Sequence, residues 1–589
     1  MKQFAQTSLA TLVAIVFLLG GPLMAATIYG SVQSEKGASV PGAMVSLIDE
    51  KSNSKVTIYS DRQGRFAIAT RLTGALALRI RAPGFGDLTN QLELNEDSEV
   101  KLNLTLKPLL TPEQISDSLS ASAHATKLKW HDKARKATFI SQCHYCHQMG
   151  NEVTRQPRDE DEWGDVIKRM EGYFAVITPF DKKAFKKVLS KGFDGKPVTN
   201  KQSPMVSPAL DRAQIEEWQV GDGNSFIHDT EVGSDGRLYG VDQGHDVVWE
   251  LDRKTGKTIR HQMPDSHLPQ GGLYSGAQLP IGIFTGKHGP HSLVEDETGT
   301  FWITGSLSST LLSFNIRTKK FKVYEIGGDA LYPHTIRRDK HGILWFTIPA
   351  SNQIGRFDPK TKKFTLIDLP SNGFFRWMTD ALFPTVLKIA SWFPQQNTHI
   401  WMSHHWYTGL GRKILNFPYG IDVHPTTGQI WYSKLYAGKI GMVDPKTLEV
   451  TEYDTPMSGP RRLRFDKYGA LWIPSFNEGG LMRFDTNTKK FTTYKLPLLA
   501  SGEYEIPYAL NIHPDTGYIW ITTNQSDRIL SFDPETKKFT SYPSPTRVTF
   551  LRDLVFTKDG KICASNSNLP AHAIEGGRPV MLCIAPGDR

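Results

Sequence analysis

Two cysteines and a histidine at fixed spacing are the residues of this chain best equipped for chemistry. They form the run Cys143-His144-Tyr145-Cys146-His147, a CxxCH motif. Two thiols at this spacing can add across the two vinyl groups of a haem. A histidine directly after the second thiol lies on the same helical turn, so its ring can reach the iron. The spacing therefore predicts one covalent haem c, held by Cys143, Cys146 and His147. A disulfide or half of a zinc site would use the same pair. A zinc site built on CxxC needs further ligands, and no second CxxC exists among the four cysteines.

The iron has a second axial position, and two methionines compete for it. Met170 ends the run Trp163-Gly164-Asp165-Val166-Ile167-Lys168-Arg169-Met170. This resembles a pattern in small fused cytochromes c, a Trp followed by Arg-Met after the haem motif. Met205, in Ser203-Pro204-Met205, lies 58 residues past His147, a spacing similar to that of ordinary class I cytochromes c. Met170 is preferred as the metal ligand alongside His147, with Met205 as the alternative. A thioether ligand raises the reduction potential and suits an electron-transfer haem.

A second constellation comes from repetition. From residue 213 onward the chain repeats with a period of about 40–45 residues, the mark of a β-propeller with one four-stranded blade per repeat. Clean units span 332–370 and 506–545, and seven strand starts align: IHDTEV, PHSLVE, PHTIRR, PYGIDV, PRRLRF, PYALNI and LRDLVF. These starts place His228, His291, His334, Tyr419, Arg461, Tyr508 and Arg552 near a central channel. A polar ring at a channel mouth is a site candidate, with His228, His291 and His334 as its catalytic residues. The blander expectation is that these residues hydrogen-bond the neighbouring blade's backbone.

The segment 213–589 resembles the streptogramin (virginiamycin B) lyase family, through GPHSLVEDETGTFWITG and YPHTIRRDKHGILWFTI. In those lyases a His at a strand start works with acidic residues and magnesium. The corresponding acid positions here hold Gly305 and Ile348, and only Asp242 keeps an acid. Magnesium prefers oxygen ligands, so the resemblance extends to the propeller and poorly to the reaction. Neutral imidazoles better suit copper, zinc or iron. A divalent metal in the channel is therefore an expectation, with His404 and His405 as further ligands.

Other elements must position these groups. Residues 27–108 alternate as strands between turns and form a β-sandwich. This segment resembles the carboxypeptidase regulatory-like domain family, through GSVQSEKGASVPGAMVSLID, SDRQGRFAIATRL and LRIRAPGF. That resemblance implies a non-catalytic spacer or adhesion module. Residues 109–212 read as a three- or four-helix, cytochrome c-like haem domain, with helix starts at Thr111-Pro112 and Thr178-Pro179. The fold class is thus multidomain and mainly β: sandwich, small α-helical domain, then a seven-bladed propeller over 213–589. The last repeat lacks its outer strand, and EEWQVG (216–221) matches it, which would close the ring. Cys563 and Cys583 would then lie on neighbouring strands, within reach of a disulfide.

Residues 1–26 read as a signal peptide: Lys2, an apolar run over 9–19, a break at Gly20-Gly21-Pro22, and cleavage near Ala25/Ala26. Export to the periplasm is expected. The net charge is +9, but much of it recurs at equivalent turns (Arg253-Lys254, Lys319-Lys320, Lys362-Lys363), as a solvated rim would. Nucleic acid is not an expected partner. Residues 265–287 and 371–412 interrupt the repeats. The second begins FFRWMTDALFPTVLKIASWF, an apolar helix read as a lid on the propeller or a peripheral membrane contact. Together these features predict a periplasmic c-type haem protein in electron transfer, coupled to a small-molecule redox site on the propeller and to a redox partner protein. A binding scaffold and a lyase with an accessory haem are the alternatives, and an oxidoreductase fits the residues better than a lyase.

Overall fold

The computed structural model describes residues 26–277, 285–394, 396–397 and 411–587. The leader up to residue 25, and His404 and His405, lie outside the described residues.

Seven strands build the N-terminal sandwich: β1 (Ala26–Ser34), β2 (Met44–Asp49), β3 (Ser54–Tyr59), β4 (Arg65–Thr70), β5 (Gly74–Arg81), β6 (Leu88–Leu94) and β7 (Glu99–Leu106). One sheet has the order β4-β1-β7, and β3-β2-β5-β6 belong to the other. Period-two alternation drives the packing: in β4, Phe66 and Ile68 turn inward to meet Ile28, Val45 and Leu47. Six strand runs were legible in the sequence. The seventh, β6, carries exposed Thr89, Asn90 and Gln91 at the sheet's edge, so it lacks a clear apolar face.

Five helices follow, rather than three or four: α1 (Pro112–Ser118), α2 (Ala121–Ala125), α3 (Lys133–Cys143), α4 (Glu160–Gly172) and α5 (Pro179–Gly192). The first two have seven and five residues, too few for a helical period to show. Thr111 with Gln114, and Asp159 with Glu162, form capping boxes, while Thr178 caps α5 ahead of Pro179. Phe139, Trp163, Ile167, Phe185 and Leu189 pack together. The same apolar cluster continues into Tyr419, Phe476, Tyr508 and Phe550 of the repeat region. The helices are therefore seated directly on the propeller-like face.

In the repeat region six separate antiparallel sheets have four strands each. Their inner strands are Ile227–Val232, Pro290–Glu295, Ile336–Arg338, Pro418–Val423, Arg464–Phe465 and Pro507–Ile512. Each touches the next, and Leu551–Phe556 touches both Pro507–Ile512 and Ile227–Val232, so the ring closes. A repeated device seals the first turn of several units. Asp296, Asp339 and Asp466 accept the indole N–H of Trp302, Trp345 and Trp472 at 2.8, 3.0 and 2.9 Å.

Strand β8 (Gln214–Gln219) completes the final array by pairing antiparallel with Val580–Ala585. The expected segment does close the ring, two residues earlier than the sequence match suggested. Its other edge is not free. It pairs with β3, Ser54 opposite Trp218, so one eight-stranded sheet runs from the propeller into the sandwich. Lys55 to Glu217 at 2.7 Å and Arg81 to Glu575 at 2.6 Å fasten the junction. Cys563 and Cys583 stand opposite one another on adjacent strands and are bridged, with Cα atoms 4.1 Å apart.

The insertion contributes α6 (Phe374–Ser391). It packs on the turns Gly272–Tyr274 and Pro349–Ser351, over the mouth of the ring.

Candidate functional site

Between the helices and the ring lies a cavity of about 810 Å³, within the ~300–1,000 Å³ usual for small-molecule and cofactor sites. Cys143, Cys146, His147 and Met170 line one side, and His228, His291, Tyr419, Tyr508 and Arg552 the other. Helix α6 supplies a wall through Thr379, Leu382, Phe383 and Val386. Its lid-like placement over the ring thus matches one of the two readings made of it.

Cys143 is the last residue of α3, and the rest of the motif follows in the turn beyond. Ring loops hold that turn. Asn568 Oδ1 accepts from the Gln148 backbone N–H at 3.0 Å, and the Gln148 amide donates to Asp527 at 2.7 Å and to the Thr549 carbonyl at 2.8 Å. The Leu569 N–H donates to the Cys146 carbonyl at 3.3 Å. His147 Nδ1 lies 2.9 Å from the Gln148 carbonyl. That contact fixes Nδ1 as the donor and leaves Nε2 free to act as a ligand. Burial holds the His147 pKa below its usual range, so the ring is neutral. Both thiols are unbridged, and burial pushes Cys146 up to about 11. His144 turns away, 2.9 Å from the Tyr504 hydroxyl.

The structure brings Met170 into this cavity, and Met205 is not among its lining residues. The Met205 backbone instead lies against Gly42 of the sandwich.

All seven ring residues predicted from the repeats meet at the axis. The ring centres of His228 and His291 are 3.6 Å apart, His291 and His334 3.8 Å, and His334 and Tyr419 4.2 Å. The Tyr419 and Tyr508 hydroxyls are 2.6 Å apart, and the Arg461 and Arg552 guanidinium carbons lie 4.5 and 4.9 Å from the Tyr508 ring centre. Their local backbone explains the convergence. Prolines 290, 418 and 507 open three of the inner strands, and the ladder register shifts just after each one. The ring residue sits inside that irregularity and turns toward the axis.

Inter-blade backbone bonding is carried by other side chains. Thr304, Thr347, Ser433 and Ser565 donate hydroxyls to the carbonyls of His334, Tyr419, Arg461 and His228, at 2.7, 2.9, 2.6 and 2.9 Å. The ring side chains therefore remain available to the channel. Asp242, the one acid kept from the lyase pattern, accepts from Phe226 N–H at 2.8 Å and from Gly244 N–H and Trp249 Nε1 at 3.1 Å. It is committed to holding the loop.

Sequence reasoning missed a second tier. Arg462 bridges Asp229 at 2.7 Å and Asp553 at 3.1 Å, and Asp553 also takes Arg464 at 2.5 Å and Arg337 at 2.9 Å. The signal lay in the residue directly after each ring position: Asp229, Arg462 and Asp553 follow His228, Arg461 and Arg552. His228 Nδ1 sits 2.9 Å from Asp229, yet burial outweighs that partner and lowers its pKa to about 3. Burial and neighbouring cations hold His291 and His334 well below the usual range. Of these three neutral imidazoles, His228 and His291 line the cavity, and His334 lies against His291. Ligand atoms of His228, Asp229 and His291 lie within 4.8 Å of one another.

Residues 27–107 match the carboxypeptidase regulatory-like domain family. No curated protein matches the chain. Among solved structures, the chain is similar to a streptogramin B lyase (16% identity, TM-score 0.47), covering 64% of this chain and 100% of that one. It is also similar to a virginiamycin B lyase from Staphylococcus aureus (14%, TM-score 0.46), covering 63% and 99%. The WD40 β-propeller domain of Doa1 is a further similar structure (10%, TM-score 0.42), covering 62% and 95%.

Proposed function

We propose that this chain is an exported, periplasmic c-type haem protein in electron transfer, whose seven-bladed propeller presents a small-molecule redox site to the haem. The observation that carries the reading is the shared cavity. The CxxCH thiols and His147 line it together with Met170, and the buried ring of His, Tyr and Arg residues lines its other side.

The residues fit a haem c. Two unbridged thiols, a neutral imidazole with its Nδ1 already engaged and a thioether line one largely apolar space. Cys143 and Cys146 would carry the thioether bonds, and His147 and Met170 would hold the iron. When bound, the haem supplies a one-electron iron couple. The chain does the rest. Gln148 orients His147, while α6 and the helices wall the cavity. On the ring, the Tyr508 hydroxyl shares a hydrogen bond with Tyr419 and lies 3.5 Å from His228 Nε2. His228 is thus placed to hold or pass a proton at that atom. A redox partner protein would exchange electrons with the haem from outside. The lyase alternative is weakened by the structural commitment of Asp242, and a purely scaffolding role leaves the buried polar ring unexplained.

The test is chemical. The full-length chain, expressed with a working haem-maturation system, should show an intact mass above that of the processed polypeptide and keep its pigment through acid–acetone extraction. Cys143→Ser with Cys146→Ser should abolish both. Complete extraction of the pigment from the unsubstituted chain would overturn the proposal.

A further inference from the structure

The propeller channel holds more buried positive charge than its carboxylates can match. Five guanidinium groups surround the axis: Arg337, Arg461, Arg462, Arg464 and Arg552. Asp229 and Asp553 serve Arg337, Arg462 and Arg464, and neither pairs with Arg461 or Arg552. Two more buried carboxyls nearby, Glu231 and Asp422, are pushed up by burial to about 8 and about 7, and they accept from the Val232 and Phe465 backbone N–H groups.

Arg461 is wholly buried, and none of its three side-chain nitrogens has a hydrogen-bond partner. Aromatic faces surround it: Phe476 at 3.5 Å, Tyr508 at 4.5 Å, Tyr419 at 5.0 Å and Tyr145 at 5.4 Å. Such faces stabilise the charge but leave the in-plane N–H groups without acceptors. Arg552 lines the cavity. Its Nε donates to Ser567 at 2.8 Å, whereas its buried Nη2 has no partner. His291 Nδ1, on the same face, is also without one. Buried polar groups are nearly always satisfied, and a cluster of exceptions marks a place for a bound ion or ordered water. The sign of the surplus charge selects an anion over a metal cation.

We infer that the channel mouth binds a small anion, a carboxylate or oxyanion of a few heavy atoms, held by Arg552, by the one hydroxyl proton that the Tyr419–Tyr508 hydrogen bond leaves free and by His291, with Arg461 behind them. This names the substrate class of the redox site proposed above and rests on that reading for its role, although the binding itself needs no haem. A guanidinium fork matches a carboxylate or oxyanion in two parallel hydrogen bonds. Haem propionates share that chemistry, and the haem-free chain separates the two sources.

The experiment is a titration of sodium formate into the haem-loaded, full-length chain at constant ionic strength. It is read by calorimetry, by the rise in melting temperature and by the visible spectrum. Saturable binding is expected, weakened about tenfold or more in Arg552→Gln, as for loss of one partner of a buried charge pair, and also weakened in Arg461→Gln. Arg552→Lys should recover part of the loss, which a misfolded variant would not. The haem-free chain carrying Cys143→Ala and Cys146→Ala should bind formate as well as the loaded chain does. No saturable binding, or binding in both Gln variants as tight as in the unsubstituted chain, overturns the inference. So does binding confined to the haem-free chain, which assigns the arginines to propionates, or binding that always tracks a shift of the haem bands, which assigns it to iron. Saturable zinc binding indifferent to formate overturns it in favour of a channel metal. A chain purified without covalent pigment defeats the haem proposal and leaves the formate comparisons standing.

Discussion

The hydroxyls of Tyr419 and Tyr508 stand 2.6 Å apart at the axis of the ring, although 89 residues separate them in the chain. Each follows the proline that opens the inner strand of a different repeat unit, and both are buried. Burial alone would push Tyr508 up. The charges of Arg552, Arg462 and Arg461 outweigh it and hold the phenol below its usual range.

A pH titration followed at 295 nm should therefore show one tyrosine ionising ahead of the others, and Tyr508→Phe should remove that step. A folded pKa below the unfolded one, near 10, means that this group's stabilisation appears as pH rises through the folded value and is complete above the unfolded one. The reference chain should gain stability relative to Tyr508→Phe over that window. An unchanged early step in the variant would assign it elsewhere.

Met170 and Met205 are separated by their surroundings. If the chain carries the proposed haem, Met170→Ala should lower its midpoint potential and change its visible spectrum, because a thioether ligand favours the reduced iron. Met205→Ala should leave both alone. A redox titration of the two variants decides the matter, and the reverse pattern would move the axial ligand to Met205.

Glu575 ties the sandwich to the propeller. Burial opposes its charge, but Arg81, with help from Arg79 and the Arg547 backbone, lowers its pKa to about 2. Its contribution is present above the ordinary value near 4.5 and is lost as pH falls toward 2. Hydrogen exchange at β3 and β8 should accelerate across that window. Glu575→Gln should bring the faster exchange to neutral pH, at a cost on the order of 2 kcal/mol.

Helix α6 turns Phe374, Phe375, Trp377 and Ile389 outward, and Trp392 and Phe393 follow it. Trp377 is 58% exposed and Trp392 66%. Among the described residues no helix is long and apolar enough to cross a membrane, but this face suits insertion at a lipid–water interface. The chain should co-sediment with vesicles containing phosphatidylserine, and Trp377→Ser with Trp392→Ser should weaken that binding about tenfold or more. Equal sedimentation of both proteins would confine α6 to its role as a cavity wall.

The ring of His228, His291, His334, Tyr419, Arg461, Tyr508 and Arg552 was legible because a repeat places equivalent residues at equivalent heights. Asp229, Arg462 and Asp553 were not. Regular alternation sends consecutive residues to opposite faces. The register breaks between Gly240 and Asp242 and between Leu551 and Leu554 suspend that rule, so neighbouring residues both reach the axis. The pairing of β8 with Val580–Ala585 could be read as a missing strand. Its second pairing, with β3, could not, since nothing in an alternating pattern identifies which foreign edge a strand will meet. The cavity joins groups hundreds of residues apart and became visible only when the helices were seen seated on the ring.

Strand β8 also gives the molecule a timetable. It leaves the ribosome long before Val580–Ala585, the partner that completes its array. An extended segment waiting that long with both sides open would invite wrong neighbours. The sandwich is made earlier still, and β3 can clasp β8 at once. The N-terminal module thus offers a splint, a straight, half-satisfied template against which the last strand can be laid.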